Sequence, residues 1–214
     1  MNADWDAIEA YAEAHSTPPV ELFERLGAET QKSQDAPEMM VGALEGAFLS
    51  FVVALKQPRR VLEIGTFTGW SSIAMAQALP PGATLVTCDV NEETSAIARR
   101  YAEEAGVADR IEYRLGSATE TLAGIGGPFD LVFIDADKDG YIDYYESVLP
   151  KLAGEGVILA DNTLASGDVI EPSGPMSEAI ARFNDHVRAD VRVECVLLTI
   201  RDGITLIRKR RAPV

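Results

Sequence analysis

The stretch Val61-Leu62-Glu63-Ile64-Gly65-Thr66-Phe67-Thr68-Gly69, continued by Trp70-Ser71-Ser72, decides the fold. A run of strand length enters a loop with a glycine at each end, and a helix opens behind it. Glycine at 65 and 69 lets backbone approach a ligand where a side chain would collide, and helix N-terminal amides add donors. About 20 residues on, the next strand-sized run ends at Asp89, where a carboxylate can accept both hydroxyls of a ribose. A nucleoside-containing ligand is therefore expected. The loop is GxxxG with Thr66 and Thr68 inside it, not the GxGxxG that hugs a pyrophosphate. Glu63 would also repel phosphate, yet it suits the cationic amino and sulfonium groups of S-adenosylmethionine. Two other readings stay open at this point: a nicotinamide-dependent oxidoreductase, which shares the sheet and the ribose carboxylate, and a non-catalytic S-adenosylmethionine-binding module.

Outward from this stretch, short apolar runs alternate with helical patterns. Val61–Ile64, Leu85–Cys88, Ile111–Leu115, Leu131–Ile134 and Val157–Ala160 read as strands. Between them, Ser71–Leu79, Glu92–Ala105, Thr119–Ala123 and Tyr141–Leu152 read as helices, giving the β-α alternation of a parallel sheet covered on both faces. A helix near Met176–Val187 follows, then Arg192–Ile200, Asp202-Gly203 and Ile204–Ile207. Asp-Gly between two apolar runs signals a hairpin. Ahead of everything, from Asp4 to about Leu55, helical spacing broken by Thr17-Pro18-Pro19 and Ala36-Pro37 predicts three helices. The expected organisation is one α/β domain over residues 1–214, with 1–55 a helical preface or lid and 58–214 the core.

Two further strand ends carry carboxylates: Ile134-Asp135-Ala136-Asp137-Lys138 and Leu159-Ala160-Asp161-Asn162. Ligands of open α/β sheets sit outside the carboxyl ends of the strands, so Asp135, Asp161 and Asn162 can converge there. Three oxygen donors without His or Cys select magnesium, calcium or manganese over zinc. Lys138 is a candidate general base, because a nearby divalent cation favours its neutral form. The bland reading pairs Lys138 with Asp137 or Asp139 and leaves the carboxylates as helix caps.

Composition narrows the partners. The chain has 214 residues, 47% hydrophobic and 25% charged, with a formal net charge of −15. That charge disfavours nucleic acid and anionic membrane. No leader pattern and no window of about 20 apolar residues is read, so a cytoplasmic protein is expected. Cys88 and Cys195 lie in apolar runs and read as buried thiols. His15 and His186 lie in polar helical stretches and lack partners for zinc or Ser-His-Asp chemistry. The basic run Arg208–Arg211 reads as a solvated tail.

Taken in order, MMVGALEGAFL, VLEIGTFTGWSS, TCDVNEE, LGSATETL, FDLVFIDADKDGY, GEGVILADNTL and DGITLIRK resemble the catechol and caffeoyl-CoA branch of cation-dependent O-methyltransferases, from about Met39 to Lys209. IDADK followed by DN at this separation is the most specific part. The resemblance implies a Rossmann-like, doubly wound sheet of seven strands, mainly parallel with the last antiparallel. It implies that Val41, Glu63, Gly65, Thr66, Ser71, Asp89, Ala118 and Asp137 contact S-adenosylmethionine. Asp89 would hold the ribose, Glu63 the amino acid end, and the backbone at Ala118 the adenine region. Asp135, Asp161 and Asn162 would hold the metal, with Lys138 the general base and Asp135 counted with it as catalytic. Relatives of this kind are commonly homodimers. Where they carry a DNTLWNG-like run, this chain has Asp161-Asn162-Thr163-Leu164-Ala165-Ser166-Gly167, which trims a pocket wall. The preface also lacks a cluster of lysines and arginines for a coenzyme A phosphate. A free catechol or polyhydroxylated aromatic acceptor is expected instead.

Overall fold

The computed structural model describes residues 5–211. Seven strands, β1 (Arg60–Ile64), β2 (Thr84–Asp89), β3 (Ile111–Leu115), β4 (Phe129–Ile134), β5 (Leu152–Ala160), β6 (Val193–Leu198) and β7 (Ile204–Lys209), make one sheet. Their order is β3-β2-β1-β4-β5-β7-β6. β7 runs against both of its neighbours: it inserts between β5 and β6 and is antiparallel to each. The Asp202-Gly203 turn makes this possible, with Gly203 at φ 85. The α/β class, the seven strands and the antiparallel last strand are all as expected.

Helices α1 (Trp5–Ala14), α2 (Glu21–Ser33) and α3 (Gly42–Lys56) form the preface. Asp4, where the helical reading began, lies outside the described residues. The remaining helices are α4 (Trp70–Ala78), α5 (Glu92–Glu104), α6 (Ala118–Gly124), α7 (Tyr141–Val148) and α8 (Pro175–Ala189). They divide between the two faces because successive strand residues point to opposite sides. Leu131 and Phe133 of β4 join α2, α3, α4 and α5 in one core. Val132 and Ile134 join α6, α7 and α8 in the other.

Four details depart from the sequence reading. The helix expected to reach Leu152 ends at Val148, because Pro150, with no N–H to donate, turns Leu149–Lys151 into a 3₁₀ turn and lets β5 begin at Leu152. The run Arg208–Arg211 is no free tail. Arg208 is in β7 and pairs with Glu194, Lys209 donates to the Leu152 carbonyl, and Arg211 pairs with Glu155. Cys88 is buried but Cys195 is exposed, since β6 is an edge strand exposed on both sides over residues 194–197. Pro37–Lys56 is also, by length and composition, apolar enough to cross a membrane, contrary to expectation. The segment is nevertheless interrupted at Gly42 (φ 72), and Leu49 and Val53 pack into the core.

Register sets the site. Ile64 lies level with Cys88 on β2 and with Ile134 on β4, and Ile134 lies level with Ala160 on β5. The residues that follow these four, Gly65, Asp89, Asp135 and Asp161, therefore share one rim of the sheet. β1 and β4 flank the point where strand order reverses, the place at which doubly wound sheets bind ligands.

Candidate active site

A cavity of about 1130 Å³ opens at that rim. Its floor is the loop after β1. Gly65 sits at φ 100, and a Cβ there would meet the Asp135 carbonyl oxygen at 1.7 Å, so only glycine lets β1 and β4 end side by side. Asp89 fixes the same loop from β2. Its Oδ2 accepts from the amides of Thr66 (2.9 Å) and Phe67 (2.7 Å), and its Oδ1 accepts from Asn91 N at 2.8 Å. One acceptor direction of the carboxylate, on Oδ1, remains for a ligand. Asn91 then caps α5 by accepting from Glu93 N and Thr94 N.

Glu63 is wholly buried and does not form the cavity wall. Its carboxyl accepts from the hydroxyls of Ser71 (2.6 Å), Ser72 and Thr87 (2.6 Å). Burial pushes its pKa up to about 7 against the pull of these three hydroxyls, and the Asp135 carboxylate adds to the rise. Ser71 does form the wall. Glu63 thus meets the cavity through Ser71 rather than by direct exposure. Val41, Gly65, Thr66, Ala118 and Asp137 line the cavity with it. Asp137 accepts from the Tyr144 hydroxyl.

The second half of the cavity is built on β4 and β5. Lys138 Nζ lies 2.6 Å from Asn162 Oδ1, 3.2 Å from Asp135 Oδ1 and 2.7 Å from the Tyr141 hydroxyl. The ammonium thus stands among the oxygens expected to hold a metal, as a cation in their midst. Lys138 does not make the surface pair with Asp137 or Asp139 that the bland reading required. Asp161 is buried, and its Oδ1 has no hydrogen-bond partner. Burial, then the Asp135 carboxylate, hold its pKa above the ordinary carboxylate range. An orphaned carboxylate oxygen beside Asp135 and Asn162 is a donor set that fits a hard divalent cation. Among the described residues no group of three or more His, Cys, Asp or Glu side chains could hold a metal; this trio depends on an amide as its third member. Asn162 sits at φ 54, a left-handed conformation that Asn tolerates better than most residues.

Sequence reasoning missed three residues here. Tyr141 is buried under Lys138, and its hydroxyl donates to the Asp161 carbonyl at 3.0 Å. Burial, reinforced by the Asp135 and Asp161 carboxylates, keeps it a phenol far past its ordinary pKa. Glu45 is buried in α3, and Arg201, just before the hairpin turn, lines the cavity and pairs with it at 3.1 Å. A lone carboxylate in the apolar run of α3 was the available signal for Glu45. Nothing local marked its partner, 156 residues away.

Comparison with known proteins agrees with this geometry. Residues 13–210 match the family described as O-methyltransferase. A caffeoyl-CoA O-methyltransferase of Zea mays is 38% identical over 185 residues, covering 80% of this chain and 72% of its own. One of Arabidopsis thaliana is 37% identical over 185 residues, covering 80% and 71%. Among solved structures, the SAH-bound methyltransferase PaMTH1 of Podospora anserina superposes with TM-score 0.90 at 29% identity, over 99% of this chain and 97% of its own. The O-methyltransferase TomG of Streptomyces achromogenes, in complex with SAM, gives 0.87 at 30% identity, over 98% and 99%. These matches set aside the oxidoreductase and the non-catalytic module. With its loop, its strand-end carboxylates and its hairpin all in place, the chain belongs to the O-methyltransferase family.

Proposed function

We propose that the protein moves the methyl group of S-adenosylmethionine to a hydroxyl oxygen of a catechol-type or polyhydroxylated aromatic, with a divalent cation, most simply Mg²⁺, and with Ca²⁺ or Mn²⁺ as substitutes. The observation that carries this reading is the meeting of Asp135, Lys138, Asp161 and Asn162 beside the glycine loop, with Asp161 Oδ1 buried and unpartnered. Asp89 holds the ribose, Ser71 backed by Glu63 receives the cationic amino acid end, and Gly65, Thr66, Ala118, Asp137 and Val41 complete the cofactor side. Asp135, Asp161 and Asn162 hold the cation. When bound, the cation would supply charge that lowers the pKa of an acceptor hydroxyl. Lys138 Nζ, as the neutral amine, takes the hydroxyl proton, and Tyr141 holds that amine at the rim. The walls orient the oxygen toward the methyl group, and positioning of this kind is worth up to about 7–11 kcal/mol.

The relatives' names point to a coenzyme A thioester, but this cavity does not favour one. Its wall carries the carboxylates of Asp35, Glu38, Asp139 and Asp202, and its basic members are Lys138 and Arg201, both already engaged. Ala165 and Ser166 stand where a larger residue would narrow the acceptor side. We place the protein in the cytoplasm as a single catalytic domain with no nucleic acid partner. The exposed apolar side chains Trp5, Tyr11, Phe51 and Leu55 are the proposed homodimer face or lid contact.

The test is methyl transfer from labelled S-adenosylmethionine to catechols, flavonoids and caffeoyl-CoA, with Mg²⁺ and with chelator. Free catechols should be methylated only with the cation present. Asp135→Ala should lose at least about 100-fold in kcat/KM, near 2.7 kcal/mol of transition-state stabilisation, while keeping cofactor affinity. Full activity of that variant in chelator overturns the cation role.

A further inference from the structure

The glycine loop carries two buried threonines, and the protein itself takes up both of their hydroxyl protons. On one side, Thr66 Oγ1 lies 2.5 Å from Thr87 Oγ1 on β2, and Thr87 donates to Glu63. A hydroxyl has one proton, so the proton between the two threonines comes from Thr66. On the other side, Thr68 Oγ1 lies 2.9 Å from Thr30 Oγ1 on α2, 38 positions earlier in the chain. Thr30 Oγ1 also lies 2.9 Å from the Leu26 carbonyl. A carbonyl only accepts, so Thr30 donates to Leu26 and Thr68 donates to Thr30. Both members of this pair are wholly buried. Thr30 ends a stripe of α2 formed by Phe23, Leu26, Gly27 and Thr30, the i, i+3, i+4, i+7 spacing of one helix face. The Phe23 ring stands 4.9 Å from that of Trp70, which follows Gly69 and opens α4. From the same turn as Thr30, Glu29 fastens α2 to α5 by accepting from the Tyr101 hydroxyl at 2.9 Å and from Arg100. The position of α2 is therefore fixed independently of the loop it meets.

We infer that Thr30 is a positioning residue for S-adenosylmethionine: from the N-terminal preface it accepts the Thr68 proton and so holds the loop after β1 in its ligand-ready course. This rests on reading the cavity at that loop as the cofactor site. Thr30 does not itself line the cavity; it acts through Thr68, which does. Without an acceptor on α2 the Thr68 hydroxyl is buried and stranded, a state costly enough to drive the loop toward water. The fraction of molecules with the loop in place then falls, and the apparent affinity falls with that fraction. The preface thus serves the cofactor as well as the acceptor side, with Thr66 anchoring the loop to the sheet and Thr68 anchoring it to α2.

The experiment is S-adenosylmethionine binding by calorimetry, with the Tm of each protein measured without ligand. Thr30→Val removes the hydroxyl at nearly constant volume and should weaken binding about 5–30-fold. Thr30→Ser keeps the hydroxyl and should bind within a few-fold of wild type. In turnover the valine variant should show a raised KM for S-adenosylmethionine with kcat at saturating cofactor little changed, because bound cofactor restores the loop. A methyl group is crowded where a hydroxyl sat 2.9 Å from two oxygens. Should Thr30→Val fail to fold, Thr30→Ala removes the hydroxyl without that crowding and gives the same readout. A lowered Tm with wild-type S-adenosylmethionine affinity in the folded variant overturns the inference, makes Thr30 a packing residue and leaves the cofactor site standing. A serine variant as weak as the valine one also overturns it, because the hydroxyl is then not what holds the loop. A wild-type protein that binds no S-adenosylmethionine overturns the cofactor site and the inference with it.

Discussion

Gly65 carries two constraints at once, a backbone at φ 100 and a carbonyl where a Cβ would be. Gly65→Ala should cost at least about 2 kcal/mol, a fall of about 4–8 °C in Tm by calorimetry, with a matching loss of cofactor affinity. An alanine variant with wild-type Tm would mean that β1 and β4 can separate freely at the rim. Glu63 predicts a pH effect of definite sign. Folded, it keeps its proton to about pH 7, whereas its ordinary pKa is 4.5. The native state therefore binds more protons than the unfolded chain between these values, and this group's contribution to stability falls as pH rises from about 4.5 to about 7. Above pH 7 the loss is complete. The Tm of cofactor-free Glu63→Gln relative to wild type should accordingly rise across that window and then level off. A difference independent of pH would show that Glu63 is ionised throughout.

At the level of elements, the preface meets the sheet through the contact of α3 with α4. Gly46 makes it possible: a Cβ there would lie 2.4 Å from Trp70 Nε1. Helix propensity alone favours Ala over Gly by up to about 1 kcal/mol, so the two effects oppose. The clash falls on the rigid ring of a nearly buried tryptophan, and Gly46→Ala should destabilise by about 1–3 kcal/mol in urea unfolding. A stabilised variant would show that α3 can slide on α4. Elements were also where the sequence was most readable. The Glu92–Ala105 pattern matches α5 to one residue, with Asn91 as its cap. Pro150 ends the α7 helix early, and β5 therefore begins at Leu152 rather than at Val157.

For the whole molecule, a net charge of −15 and a carboxylate-rich cavity wall set a field that opposes anionic acceptors. Raising the salt from about 0.01 M to about 0.15 M shortens the Debye length from about 30 Å to about 8 Å. KM for caffeoyl-CoA should fall several-fold over that range, while KM for an uncharged catechol should hardly move. Equal salt responses for the two would remove charge as the basis of acceptor choice.

The chain by itself determined whatever depends on near neighbours. The glycine loop, the Asp135-to-Lys138 run, the Asp161-Asn162 pair and the hairpin turn were all legible, because each is written in a few consecutive residues whose backbone and side-chain chemistry is local. Only the tertiary structure decided how these pieces meet. Parallel register brings Asp135 and Asp161 level although 26 positions separate them, and it turns Lys138 inward between Asp135 and Asn162. It withdraws Glu63 behind Ser71, exposes Cys195 on an edge strand, and joins Glu9, Glu45 and Arg201 across most of the chain. Burial and long-range pairing are properties of the packed sheet, and no periodicity along the chain records them.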